Sequence, residues 1–301
     1  DRYPVSAVKN YRVSLILWVT ALTMLGIMII GSAQKTSQTR QIIGFTLGMA
    51  LMLIFSLIDY TWLMSFYWLY YFGGCVLLVA VLLFGEEVNG ATRWIKIGIQ
   101  FQPSDMMKIL MIVFFAKLFD KYEDTLNTSR TILFSLACLG IPLFLIFSEP
   151  DLSTTIVTAL TYCAIIFVAG LSYKIIAAIL MVTVPVFVIL LSIILQPGQS
   201  LIQTYQLTRI LAWLKPEEYP QEAAQQQNSI IAIGSGQLYG KGLNNNMVSS
   251  VKNANFISEP QTDFIFAVAG EELGFLGCCL IIVLELLIAL ECIYIGRRAK
   301  D

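Results

Sequence analysis

Ser258-Glu259-Pro260-Gln261-Thr262-Asp263-Phe264-Ile265-Phe266-Ala267-Val268-Ala269-Gly270-Glu271-Glu272-Leu273-Gly274-Phe275-Leu276-Gly277 closes a long polar segment and opens the last apolar run of the chain. It therefore reads as the place where an aqueous loop becomes membrane. Three carboxylates, Asp263, Glu271 and Glu272, enter that boundary on a helical pattern. Pro260 and Thr262 are helix-start signals, a proline tolerated in a first turn and a threonine able to cap free amides. Asp263 is then expected in the first turn, where the helix dipole favours its anionic form. An ionised carboxylate at a membrane rim is a candidate general base. The alternative is a capping acid with no chemistry, and position alone leaves both open.

Composition extends the membrane reading outward from this stretch. Of 301 residues, 57% are hydrophobic and 13% charged, with mean hydropathy +0.75. Soluble domains carry about 25% charged residues, so an all-α, polytopic transmembrane helix bundle is expected. A net charge of -1 offers no field for nucleic acid. The chain has no histidine, which excludes histidine bases, HExxH zinc sites and bis-histidine haem. Proton transfer would rest on carboxylate, lysine, tyrosine or cysteine. The six cysteines fall in apolar runs without a CxxC pair and read as small buried hydrophobes. The first apolar run lacks a small-residue cleavage site and is expected to remain as a span.

Eight apolar segments stand out, at 13–31, 42–58, 68–84, 106–119, 132–147, 154–171, 175–195 and 273–295. Most approach the ~20 residues a spanning helix needs. The fourth is short and holds Lys108, so it should face protein or a polar cavity rather than lipid. The lysine and arginine excess places both termini in the cytoplasm, and segments 85–105, 148–153 and 196–263 then face outside together. The long loop at 196–263 should contain an amphipathic interfacial helix ending near Lys215-Pro216, with Tyr205 and Trp213 as anchors. A glutamine-rich turn around Gln225 and a glycine-rich run, Gly234 to Gly242, follow; the run matches neither a P-loop nor a dinucleotide pattern.

Two further outer motifs carry charge. Arg93-Trp94 precedes Gln102-Pro103-Ser104-Asp105-Met106-Met107-Lys108. Ser104 is a natural N-cap, and Asp105 and Lys108 share a helix face. Arg93 and Lys108 can bind a pyrophosphate, one as a planar fork and the other as a point charge; alternatively Lys108 only pairs with Asp105 and Arg93 snorkels beside Trp94. Glu149-Pro150-Asp151-Leu152-Ser153-Thr154 opens the sixth apolar segment, with Asp151 as its helix cap. Asp151 can also hold a divalent cation or orient a basic neighbour.

Glu259-Pro-Gln-Thr-Asp263 followed by Gly270-Glu-Glu-Leu-Gly274 closely resembles the signature of the SEDS family (shape, elongation, division and sporulation), which includes RodA, FtsW and SpoVE. Arg93-Trp94, the Gln102-to-Lys108 motif, Glu149-to-Thr154 and Tyr205-Gln206-x-x-Arg209 are similar to the family's other hallmarks. Asp105 stands where glutamate is usual, Glu149 and Ser153 where glutamine and glycine are, and Asn228 departs from the family's Gln-Ser. The glycine run leans toward RodA, and Glu-Pro-Gln-Thr-Asp toward FtsW and SpoVE.

The resemblance implies one bundle over 1–301 with about eight spans, the family usually having ten, in the bacterial cytoplasmic membrane. It implies a peptidoglycan glycosyltransferase that polymerises lipid II on the outer face, in elongation or division. Asp263 would be the catalytic base. Arg93, Lys108, Asp105, Asp151, Arg209 and Glu259 would bind substrate, with Mg²⁺ or Mn²⁺ as candidate cofactor and metal ligands unassigned. A class B penicillin-binding transpeptidase would be the partner. The rival readings are a lipid II flippase, which needs access from both faces, and a non-catalytic scaffold for a transpeptidase.

Overall fold

The computed structural model describes residues 12–88, 91–97, 99–149, 151–194, 196, 204–244, 250 and 257–298. The chain packs into two compact units, one of Asp1–Ile54 with Ser192–Asp301 and one of Phe55–Leu191.

The Phe55–Leu191 unit is built around a helix that is not itself a strong membrane span. It contains α3 (Tyr60–Met64), α4 (Tyr67–Phe84), α5 (Pro103–Lys121), α6 (Ser129–Ser148), α7 (Leu152–Val168) and most of α8 (Tyr173–Ile194). Helix α5 buries Met107, Met111, Phe114, Phe115 and Leu118 at three- and four-residue spacing. Phe114 stacks on Tyr71 at 4.5 Å and Phe115 meets Tyr162 edge-on at 4.8 Å. Core hydroxyls are paired: Tyr71 donates to the Cys138 carbonyl at 2.9 Å, and Ser135 and Tyr162 share a bond of 2.7 Å. The five charged residues of α5 lie toward its two ends, Asp105 and Lys108 at the start and Lys117, Asp120 and Lys121 at the finish, which leaves its middle apolar. Between α4 and α5 the chain forms a small antiparallel sheet, β1 (Glu86–Val88), β2 (Ala91–Ile97) and β3 (Ile99–Phe101), in that order.

The other unit holds α1 (Val13–Ala33), most of α2 (Lys35–Leu57), α9 (Thr204–Leu214), α10 (Pro220–Ser235) and α11 (Ile265–Gly296). Helix α11 packs against α1 through Ile29, Val268 and Ala269, and against α10 through Ala232 and Ala267. At 32 residues it is too long for a bilayer, but Gly274 lies at φ 67°, ψ -164° and breaks it. The part beyond the break, 275–296, spans roughly 33 Å at 1.5 Å per residue, about one hydrocarbon core. The last span thus begins where the apolar run does, and the helix ahead of it is a separate half.

The outer surfaces are apolar. Helix α8 is apolar along nearly its whole length, yet none of its residues is buried, a surface that water disfavours and lipid favours. Among the described residues, six helices are long and apolar enough to cross a membrane: α1, α2, α4, α6, α8 and α11. The other two expected spans are α5, with its charges, and α7, with 17 residues. The fold is an all-α, multi-pass membrane bundle.

Candidate functional site

In the Phe55–Leu191 unit the site is built where α5 and α7 begin and α6 ends. Asp151 caps α7: its Oδ1 accepts from the Thr154 amide at 3.0 Å and its Oδ2 from the Thr154 hydroxyl at 2.9 Å. Gln102 Nε2 donates to Asp151 Oδ2 at 3.1 Å and to Ser104 Oγ at 3.0 Å, joining the start of α5 to the start of α7. The α5 cap is Gln102, with Pro103 in the first turn. Ser104, expected as the cap, lies one position beyond that proline and is fully buried.

Arg93 reaches this cluster from β2. Its Nε donates to the Glu149 carbonyl at 3.3 Å, and its Nη1 stands 4.0 Å from Asp151 Oδ2. The side chain is 29% exposed against 7% for Asp151, so the guanidinium has a buried edge on protein and an outer edge toward solvent. Lys108 pairs with Asp105 at 2.8 Å, and both are partly exposed. The expected helix-face pairing is therefore formed. The alternative of Arg93 merely snorkelling is replaced by its attachment to Glu149 and Asp151.

Sequence reading did not single out Glu149 as a site residue. It is completely buried, and neither carboxyl oxygen has a hydrogen-bond partner among the described residues. Burial, with the Asp151 carboxylate beside it, pushes its pKa up from 4.5 to about 8, against an opposing pull from Arg93. The shift favours the protonated, neutral form, a near-isostere of the glutamine usual in the SEDS motif. Two acids flanking one proline at a span boundary were the available signal.

In the other unit, Asp263 is exposed and lies two residues ahead of α11, in a turn rather than in the first helical turn. Helix α11 has no acid in its first turn and no side-chain cap; it starts at Ile265, once the apolar face can pack. The turn is braced by Glu259, whose carbonyl accepts from the amides of Thr262 and Asp263, both at 3.2 Å. Thr262 Oγ1 also donates to that carbonyl rather than capping the helix. Glu259 itself sits at φ 51°, and its Oε2 accepts from Gln261 at 2.5 Å. A non-glycine residue held in left-handed backbone is strained, and such strain concentrates at functional sites.

Behind this turn the break in α11 is filled by the glycine-rich loop. An unbroken helix would bond the amides of 275 and 276 to the carbonyls of 271 and 272. Instead Glu271 and Glu272 carbonyls accept from the Lys241 and Gly242 amides at 2.9 and 3.0 Å. Phe275 and Leu276 amides donate to the Gln237 and Leu238 carbonyls at 2.8 and 3.2 Å. The loop is threaded into the helix, and these four backbone groups are each paired again. The crossing needs glycine: a Cβ on Gly274 would lie 2.3 Å from the Gly240 nitrogen, and one on Gly240 2.1 Å from the Glu272 carbonyl oxygen. The carboxylates of Glu271 and Glu272 are also structural. Lys241 Nζ donates to Glu271 Oε1 at 2.8 Å, and Ser32 Oγ donates to Glu272 Oε1 at 2.5 Å while accepting from the Asn244 amide.

Arg209 lies in α9, and its side chain falls outside the described residues. The helix expected up to Lys215 is present as α9, whereas the glutamine-rich turn is not: Gln225 is inside α10. Among the described residues no group of three or more acids or cysteines could hold a metal ion. The oxygens of Asp151 are taken up by Thr154, Gln102 and Arg93. The side chains among the described residues do not make a metal cage.

A model of the FtsW, RodA and SpoVE family, described as cell cycle protein, matches residues 4–301. The probable peptidoglycan glycosyltransferase FtsW of Idiomarina loihiensis is 34% identical over 228 residues, covering 75% of this chain and 53% of that protein. The protein of the same name from Escherichia coli O6:H1 is 32% identical over 232 residues, covering 76% and 53%. The chain thus spans about half the length of these curated relatives. Among solved structures, a chain of a peptidoglycan synthase complex coordinating polymerization and crosslinking superposes with TM-score 0.72 at 24% identity, covering 94% of this chain and 77% of its own. The rod shape determining protein RodA of Thermus thermophilus gives 0.60 at 22%, covering 94% and 74%. These two likenesses show the shared fold, and the sequence matches bear out the motif resemblance. The chain belongs to the FtsW, RodA and SpoVE family of membrane proteins.

Proposed function

We propose that this chain carries the catalytic region of a peptidoglycan glycosyltransferase that polymerises lipid II. The observation that carries the reading is Asp263: an exposed carboxylate in a turn held by Glu259, ahead of a half-helix pinned from behind by the threaded loop. Relatives of 34% and 32% identity that bear the name glycosyltransferase support it.

In this reading the 4-hydroxyl of the acceptor sugar attacks the anomeric carbon of the donor. Asp263 takes the hydroxyl proton as the new C–O bond forms. The bond from the anomeric carbon to the pyrophosphate oxygen breaks, and undecaprenyl pyrophosphate leaves with the electron pair. Displacement on the opposite face turns an α-linked donor into a β-1,4 product. Arg93, Lys108 and Arg209 supply positive charge to the leaving pyrophosphate, an effect that is commonly the largest in such transfers. Asp151 orients Arg93, Asp105 orients Lys108, and Glu259 shapes the turn of Asp263. Mg²⁺ or Mn²⁺, if recruited, would be held mainly by substrate phosphates with one or two carboxylates.

The lysine and arginine asymmetry supports cytoplasmic termini and an outer-face site. The fold neighbour in a peptidoglycan synthase complex supports a class B penicillin-binding transpeptidase as partner. Reconstitution of the full-length protein in liposomes with lipid II and its transpeptidase tests the reading. A ladder of glycan strands is expected; movement of lipid II between leaflets without any ladder would move the assignment to a transporter.

A further inference from the structure

The joint between the glycine-rich loop and the break in α11 has a place in the membrane as well as in the fold. The span beyond the break, 275–296, is about 33 Å long at 1.5 Å per residue, one hydrocarbon core, and Arg297 and Arg298 follow its far end. Its near end therefore lies at Phe275 and Leu276. The loop straddles that level. The Gln237 and Leu238 carbonyls accept from the Phe275 and Leu276 amides inside the span, and the Lys241 and Gly242 amides donate to Glu271 and Glu272 ahead of it.

We propose that this joint is seated in the bilayer, with Leu238 and Tyr239 among the acyl chains of the leaflet nearer Asp263, and that it anchors the Asp263 turn to the membrane. Both side chains are exposed, Tyr239 by 78%, and the Leu238 carbonyl is bonded to the first residue of a lipid-facing stripe. That stripe, Leu276, Leu280, Val283, Leu286, Leu290 and Ile293, recurs at three- and four-residue spacing down the whole span, exposed and free of charge. The apolar surface runs on without a step from the loop into the stripe, so one environment covers both. Over the length of the stripe that environment is hydrocarbon.

Charge and backbone are both suited to that setting. From Ala223 to Gly240 the chain has no charged residue. The charges at the joint are held within the protein: Lys241 pairs with Glu271 at 2.8 Å, and Glu272 accepts from Ser32. Irregular backbone enters hydrocarbon only where protein meets its polar groups. Here the amides of Gly236, Gln237, Gly240, Lys241 and Gly242 all donate to backbone carbonyls. Leu238, Tyr239 and Lys241 follow the order of depths at a membrane interface: apolar, aromatic, charged. The half-helix from Ile265 to the break is about 13 Å long, so a seated joint holds Asp263 within reach of the headgroup layer, where a lipid-borne pyrophosphate lies. The anchoring role rests on the glycosyltransferase reading; the seating does not.

The test is tryptophan fluorescence of the full-length protein in phosphatidylcholine bilayers brominated on the upper part of the acyl chain, taken as the difference between Tyr239→Trp and its parent. The added emission should be blue-shifted, lost for the most part to the bromolipid and little changed by aqueous iodide. Gln226→Trp, in the polar part of α10, should be quenched by iodide and not by bromine. Should Tyr239→Trp fail to fold, Leu238→Trp reads the same contact. Iodide quenching at position 239 equal to that at position 226 overturns the seating. So does a blue-shifted emission that neither quencher reaches, which would assign the surface to a protein contact. For the anchoring, the double variant Leu238→Glu, Tyr239→Glu should slow glycan-strand formation in liposomes several-fold at unchanged melting temperature; a rate equal to wild type overturns it. Absence of any ladder from the wild type would remove the glycosyltransferase reading, and the anchoring with it, while the fluorescence still decides the seating.

Discussion

Lys241 meets Glu271 twice: its amide donates to the Glu271 carbonyl at 2.9 Å and its ammonium to the same residue's carboxylate at 2.8 Å. One residue of the glycine-rich loop thus satisfies both the broken helix backbone and a carboxylate that is 3% exposed. The pair stands behind the half-helix that Asp263 precedes, linking a loop and a helix that are 30 residues apart.

Removing the ammonium should be costly. Lys241→Met is expected to destabilise the protein by on the order of 2–3 kcal/mol, below the usual range for a fully buried pair because Lys241 is partly exposed. Glu271→Gln should cost less, since it removes the buried charge with its partner still able to reach water. Denaturant unfolding in detergent measures both, and the double variant should be less damaged than the sum of the two.

The backbone crossing makes a sharper demand. Gly274→Ala places a Cβ against Gly240 at a φ, ψ combination open essentially to glycine alone. A loss of about 2–4 kcal/mol is expected. Gly234→Ala is the control: nothing lies within 4 Å of its Cβ and it is inside α10. Helix propensity should there leave stability unchanged or raised by about 0.5–1 kcal/mol. Thermal melts of the two variants should shift in opposite directions or differ by several degrees.

Glu149 gives a pH dependence with a definite sign. Its folded-state pKa is raised from 4.5 to about 8, so between those values the folded protein holds a proton that the unfolded chain has released. Stability from this group therefore falls as pH rises through that window and levels off above about 8, with a slope of at most about 1.4 kcal/mol per pH unit. Glu149→Gln should remove that fall. The advantage of the variant in melting temperature should be small at pH 5 and larger at pH 8; an advantage independent of pH would contradict the buried, protonated state.

How far the sequence carried the account depends on whether a feature is local. The apolar runs, the Lys108–Asp105 spacing and the Asp151 cap are set by neighbours three or four residues away, and all are present. Two features were hidden because distant chain creates them. Gln225, Gln226 and Gln227 have little apolar character, and α10 forms because Ala223, Ser229 and Ala232 bury. Gly274 looks like a tolerated glycine in an apolar helix, yet the helix breaks because loop 237–242 supplies replacement bonds. Glu149 was passed over for a different reason: its burial depends on Arg93 and Asp151 closing around the end of α6.

The most direct test of the proposed polymerase activity is Asp263→Asn in the protein reconstituted with lipid II. The substitution keeps the shape of the side chain and, because Asp263 is exposed and outside the helix, should leave the melting temperature within a degree or two. Loss of a general base typically lowers the rate by about 10²–10⁴-fold, and glycan strands should vanish from the gel accordingly. An Asn variant that melts like wild type and still builds the ladder at a similar rate would contradict the assignment of Asp263 as the base.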